Sequence, residues 1–77
     1  MYKYNICTEA NKEMFYEQCN KLEKNIPNII KGKLLHDVDD SLTQMYTLGG
    51  KEIKVLNSEY IDSLTVNSEI DIEQYIN

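Results

Sequence analysis

The densest set of chemistry-bearing residues is His36-Asp37-Val38-Asp39-Asp40. Imidazole and carboxylates ligate metals, and a His beside Asp could also serve as a general base. The spacing does not sustain a calcium loop. Counted from Asp37, the glycine position holds Leu42 and the bidentate glutamate position holds Leu48. A zinc site needs about four close ligands, and His36 is the chain's single histidine. A small metal-dependent enzyme built on His36 and its aspartates is therefore the weakest of three functional readings. A solvated turn is the plainer account of the cluster.

Covalent catalysis needs a nucleophile, a base and an orienting group. Cys7 and Cys19 fall on segments expected to build the core, which favours inert buried thiols. Two cysteines are too few for a disulfide scaffold, so both are read as reduced. Gly49-Gly50 is followed by Lys51-Glu52 and not by the Lys-Ser/Thr of a phosphate loop. No residue set asks for a cofactor, and no catalytic, cofactor or metal residue is assigned. The chain is expected to be no enzyme.

Charge is the stronger signal. The formal net charge is −5. Residues 1–35 carry +2 and residues 36–77 carry −7. All eight basic residues are lysine, so the guanidinium fork that reads phosphate and guanine edges is missing. No basic footprint exists for nucleic acid or for an anionic membrane. The longest apolar run is Met14-Phe15-Tyr16, too short to span a bilayer, and the N-terminal residues lack a signal peptide's apolar stretch. A cytoplasmic location is expected.

Residues 57–77 hold five acids and no Lys or Arg, and they are also rich in Tyr, Ile, Leu and Val. With the aspartates after His36, the candidate partner-binding set is Asp37, Asp39, Asp40, Glu59, Tyr60, Asp62, Glu69, Asp71, Glu73 and Tyr75. Gathered on one face, these acids would attract a basic groove on another protein and speed its capture. Tyr60 and Tyr75 would add rigid contact area with a polar tip. The same acids are also what any amphipathic element shows to water.

The elements that place these residues follow from periodicity. Tyr2, Tyr4 and Ile6 alternate with Lys3, Asn5 and Cys7, a strand. Thr8 can cap a helix from about Glu9 to Asn25, and Pro27 stops it. Phe15, Cys19, Leu22 and Ile26 form its apolar stripe. Residues 29–56 then alternate, broken at Asp39-Asp40-Ser41 and at Gly49-Gly50, as a three-stranded antiparallel meander. His36 shares parity with Leu34 and Val38, which makes it a core or rim histidine held by one hydrogen bond. Beyond that, a strand is expected near Ser63–Val66 and a short helix or strand over Glu69–Tyr75, with Ser68 and Asp71 spaced as a capping box.

At 77 residues there is room for one domain with a thin core. The expected fold is two-layer α+β: one helix on a small, mostly antiparallel sheet, β-α-β-β-β plus a short terminal element. The expected core is Ile6, Phe15, Cys19, Leu22, Ile26, Leu34, Leu42, Tyr46, Ile53, Val55 and Leu64. The leading functional reading is a non-catalytic acidic module that occludes a basic, nucleic-acid-binding site on a partner protein. In size and charge, though in no motif, the chain resembles phage-encoded inhibitors of host defence nucleases and DNA-repair enzymes. The alternative is a structural or assembly protein that forms homodimers by pairing an edge strand.

Overall fold

The computed structural model describes residues 1–76. The elements run β1 (Tyr2–Cys7), α1 (Lys12–Asn25), β2 (Ile30–His36), β3 (Leu42–Leu48), β4 (Lys51–Ser58), β5 (Ser63–Ser68) and α2 (Glu73–Ile76). The five strands form one antiparallel sheet in the order β1-β5-β4-β3-β2. The expected α+β two-layer class is what the structure shows, with α1 packed on the sheet and α2 closing the chain. β2 to β5 form the meander. β1 pairs with β5, so the first and second strands lie at opposite edges and α1 carries the chain across between them.

Local chemistry explains the turns. The β3–β4 hairpin closes at Gly49 and Gly50, whose φ values of 58° and 80° suit residues without a Cβ. At the end of α1 the Ile26 N–H donates to Leu22 O (3.0 Å), and Pro27 blocks further helix. The start of α1 differs from the sequence expectation. Asn11, not Thr8, is the cap, and its Oδ1 accepts the Met14 N–H (3.0 Å). A tertiary bond selects it. The Asn11 N–H donates to Oδ1 of Asn57 (2.9 Å), a fully buried residue on β4. Both residues are competent caps, but only Asn11 meets this acceptor.

Phe15, Cys19, Leu22 and Ile26 face Leu42, Tyr46, Ile53, Val55, Leu64 and Val66 across the core. The tail adds Ile72 and Ile76. Of the expected core, Ile6 is only partly buried, and Leu34 is wrong: it is 47% exposed. All seven residues of β2 are exposed. α1 packs on β4 and α2 and leaves β2 uncovered. The β2–β3 pairing also shifts between Lys31 and Leu34. Gly32 lies in that shift, where a Cβ would come 3.2 Å from the Met45 carbonyl oxygen. The strand's link to the helix is an ion pair, Lys31 Nζ to Glu23 Oε2 at 3.6 Å.

The tail also corrects an expectation. Ser68 does not box with Asp71. Its Oγ accepts the Ile70 N–H (3.1 Å) and donates to Ile70 O (2.6 Å). The next bend is held by Asp71 Oδ1, which accepts the Glu73 N–H (3.1 Å), and α2 opens there.

Tyr46 is fully buried, and its hydroxyl donates to Glu23 Oε2 at 2.6 Å. Burial first, then this bond, raises its phenol well above the ordinary 10.0. The folded chain thus keeps a proton that the unfolded chain releases. The resulting stability is complete below the unfolded value and declines as pH rises beyond it. Thermal melting from about pH 9 to about pH 11 should therefore show a falling midpoint, and a shallower fall in Tyr46→Phe. The helix start gives a second test. Chemical denaturation of Asn11→Ala should show a loss of about 1 kcal/mol, while Thr8→Ala should stay within about 0.5 kcal/mol of wild type.

Candidate functional site

Three connections meet at one end of the sheet: residues 8–11, 37–41 and 59–62. They contain Glu9, Asp37, Asp39, Asp40, Glu59 and Asp62 and no lysine. Hydrogen bonds tie them together. Ser41 is the clasp: its Oγ accepts the Glu59 N–H (2.8 Å) and its carbonyl accepts the Asp37 N–H (2.9 Å). Asp62 Oδ1 accepts the Ala10 N–H (2.8 Å), linking the β4–β5 turn to the approach to α1.

The acids here do two different jobs. Asp39 Oδ1 accepts the Ser41 N–H (3.1 Å), and this bond lowers its carboxyl below the usual range. Asp40 sits in left-handed geometry, and its Oδ1 lies 3.1 Å from His36 Nε2. Asp62 is also left-handed and serves as the Ala10 acceptor. The carboxylates of Asp37 and Glu59 are committed to no such bond among the described residues. Between these acids stand exposed apolar side chains. Val38, Tyr60 and Ile61 are 106%, 87% and 61% exposed.

Glu69, Asp71, Glu73 and Tyr75 lie at the other end of β5. Six residues of strand put roughly 20 Å between the two groups, beyond a Debye length of about 8 Å at physiological salt. The two groups therefore present separate fields. The second group is largely occupied in fastening the tail. Glu69 and Glu52 exchange bonds, with the Glu52 N–H to Glu69 Oε2 at 2.6 Å and the Glu69 N–H to Glu52 O at 3.0 Å. The Tyr4 hydroxyl donates to Asp71 Oδ1 (3.0 Å) and accepts the Ile72 N–H (3.0 Å). Tyr75 is half-buried against the core, and Glu73 is exposed.

The ten expected residues thus divide into a loop-end group of six and a tail group of four. Sequence reasoning missed Ser41, Glu9, Val38 and Ile61. Ile61 carried a readable signal, an apolar residue set inside a polar turn. Ser41 carried none, because its role depends on β3 starting between the ends of β2 and β4.

A groove of about 560 Å³ runs between β1 and α1, lined by Lys3, Tyr4, Ile6, Met14, Gln18 and Ile76 among others. Gln18 Nε2 is buried there without a hydrogen-bond partner. Burial pushes the Cys19 thiol up, and Cys7 and Cys19 are not joined. Among the described residues no three His, Cys, Asp or Glu side chains converge as metal ligands. No helix among them is long and apolar enough to cross a membrane. No protein-family model, curated protein or solved structure matches the chain.

The clasp predicts a separation of stability from surface. Ser41→Ala, which orphans the part-buried Glu59 N–H, should lose about 1–3 kcal/mol in chemical denaturation. Tyr60→Ala, at an 87% exposed position, should stay within about 0.5 kcal/mol of wild type.

Proposed function

We propose that the chain is a non-catalytic protein-binding module whose loop end occupies a basic, nucleic-acid-binding groove on a partner protein. The supporting observation is the placement of six acids, without a lysine, on the three connections at one end of the sheet, the same connections that carry the exposed side chains of Tyr60, Ile61 and Val38. Carboxylates supply long-range attraction and faster encounter. An aromatic anchor amid them supplies the contact area that charge alone lacks. Loops carried on a bonded sheet hold this arrangement at low entropic cost. Asp37, Asp39, Asp40, Glu59, Tyr60 and Asp62 make the contact. Glu69, Asp71 and Tyr75 hold the tail, and the Glu73 side chain stands exposed beside them. The other class of function, assembly of copies of the chain with one another, draws on a different element, the β2 edge.

The test is capture of proteins from a bacterial lysate on the immobilised chain, at low and high salt and with excess DNA or RNA as competitor. The expected catch is a nucleic-acid-binding protein, released by high salt and by the competitor. Glu59→Lys/Tyr60→Ala should lose it, and Glu73→Lys at the far end should keep it. With the purified partner, the double variant should bind on the order of tenfold more slowly at low salt, with a smaller deficit at high salt. Equal capture by wild type and double variant at both salt levels would refute the loop-end mechanism.

A further inference from the structure

β2 is bonded on one side only, to β3, and is exposed along its length. Its outer edge has a definite polarity. The Asp37 N–H donates to Ser41 O, so Asp37 belongs to a hydrogen-bonded pair. Pairs in an antiparallel ladder alternate between bonded and unbonded. Leu35, opposite Thr43, therefore turns its backbone groups to β3. Leu34 and His36 turn theirs outward.

The first half of the strand is guarded. A bulge at Gly32 and Lys31 before it discourage pairing by a stray edge. The segment beyond the bulge, Lys33-Leu34-Leu35-His36-Asp37, is not guarded in this way. Its two leucines are 47% and 52% exposed. Laid antiparallel on itself about Leu35, it sets Lys33 opposite Asp37 of a second copy, Leu34 opposite His36, and Leu35 opposite Leu35. The facing residues share a sheet face, as period two requires. Bonded pairs fall on Leu34 and His36, whose backbone groups already point outward. Leu35 meets its counterpart at an unbonded pair, where side chains approach most closely. The Lys–Asp pair occurs twice by symmetry. Registers centred on Lys33 or on Asp37 instead set like charges against each other.

We infer that β2 is a self-association edge, and that it pairs with β2 of a second copy of this chain in the register centred on Leu35. Two five-stranded sheets then form one continuous ten-stranded sheet.

Sedimentation equilibrium on the full chain over a wide concentration range tests this, with circular dichroism to follow folding. Wild type should show a two-chain mass that dissociates on dilution. Lys33→Asp alone and Asp37→Lys alone each place like charges at both symmetric positions, and each should raise the dissociation constant about tenfold. The double swap Lys33→Asp/Asp37→Lys restores opposite charges and should recover the wild-type constant. Leu35→Asp should leave only the one-chain mass. Both charged positions and Leu35 are exposed, so the dichroism spectra should match wild type. A one-chain mass for wild type at every concentration overturns the proposal. So does a dimer that ignores the single reversals or is not recovered by the double swap. The Lys33, Leu35 and Asp37 variants assign the mass change to β2, and Glu59→Lys and Tyr60→Ala, outside that strand, should leave the mass unchanged.

Discussion

One fourteen-residue helix has to cover a five-stranded sheet, and most other features of the chain follow from that mismatch. Outer strands of such a sheet stand about 19 Å apart, at about 4.8 Å per step. A helix with its side chains is about 10 Å wide. α1 therefore shields the middle of one face, and Phe15, Leu22, Ile53, Val55, Leu64 and Val66 are fully buried there. The tail extends the cover, with Ile72 and Ile76 joining the same core. Among the described residues nothing does the same for β2. Its link to the helix is made by charge, Lys31 to Glu23, at the limit of helical reach.

This limit separates what was legible in the sequence from what was not. The helix stripe, the Pro27 stop and the Gly49-Gly50 turn were readable because each is set by residues within one turn or hairpin. Leu34 has the same alternating context as Leu42 and Tyr46, yet it is half-exposed while they are buried. Parity tells which face a residue takes, not whether that face is covered. Val66, Ile72 and Ile76 were missed for the converse reason. Their burial depends on β5 taking a place between β1 and β4 and on the tail folding back, neither of which leaves a local mark. The choice of Asn11 over Thr8 as cap is the smallest case. A buried amide on β4, forty-six residues away, decides between two competent residues.

The acids show how little a charge count says about use. Asp39, Asp62, Asp71 and Glu69 each accept a backbone N–H. Burying or ordering an N–H without an acceptor costs more than a surface carboxylate usually contributes by long-range attraction. These four are first of all structural acceptors, and their negative charge is a by-product available to a partner. Asp37 and Glu59 are the reverse case, carboxylates in the same loops that the fold does not employ. Sequence could not sort them, because the backbone donors they answer belong to turns whose geometry includes left-handed Asp40 and Asp62.

The two proposed surfaces meet at Asp37, and symmetry fixes how they combine. A two-fold axis through Leu35, perpendicular to the sheet, reverses the strand direction from one copy to the next. The β2–β3 loops of the pair then point to opposite ends of the ten-stranded sheet. Each loop end keeps Glu59, Tyr60 and Asp62 clear of the joined edge, since β4 and β5 lie two and three strands inward. The two acidic ends cannot enter one groove together, so pairing adds no avidity for a single site. Pairing does draw Asp37 toward Lys33 of the other copy and removes one free carboxylate from each end. Capture of a basic partner would then rest more heavily on Glu59 and on the aromatic contact of Tyr60. Among the described residues, the fold employs neither the Glu59 carboxylate nor, at 87% exposure, the Tyr60 ring.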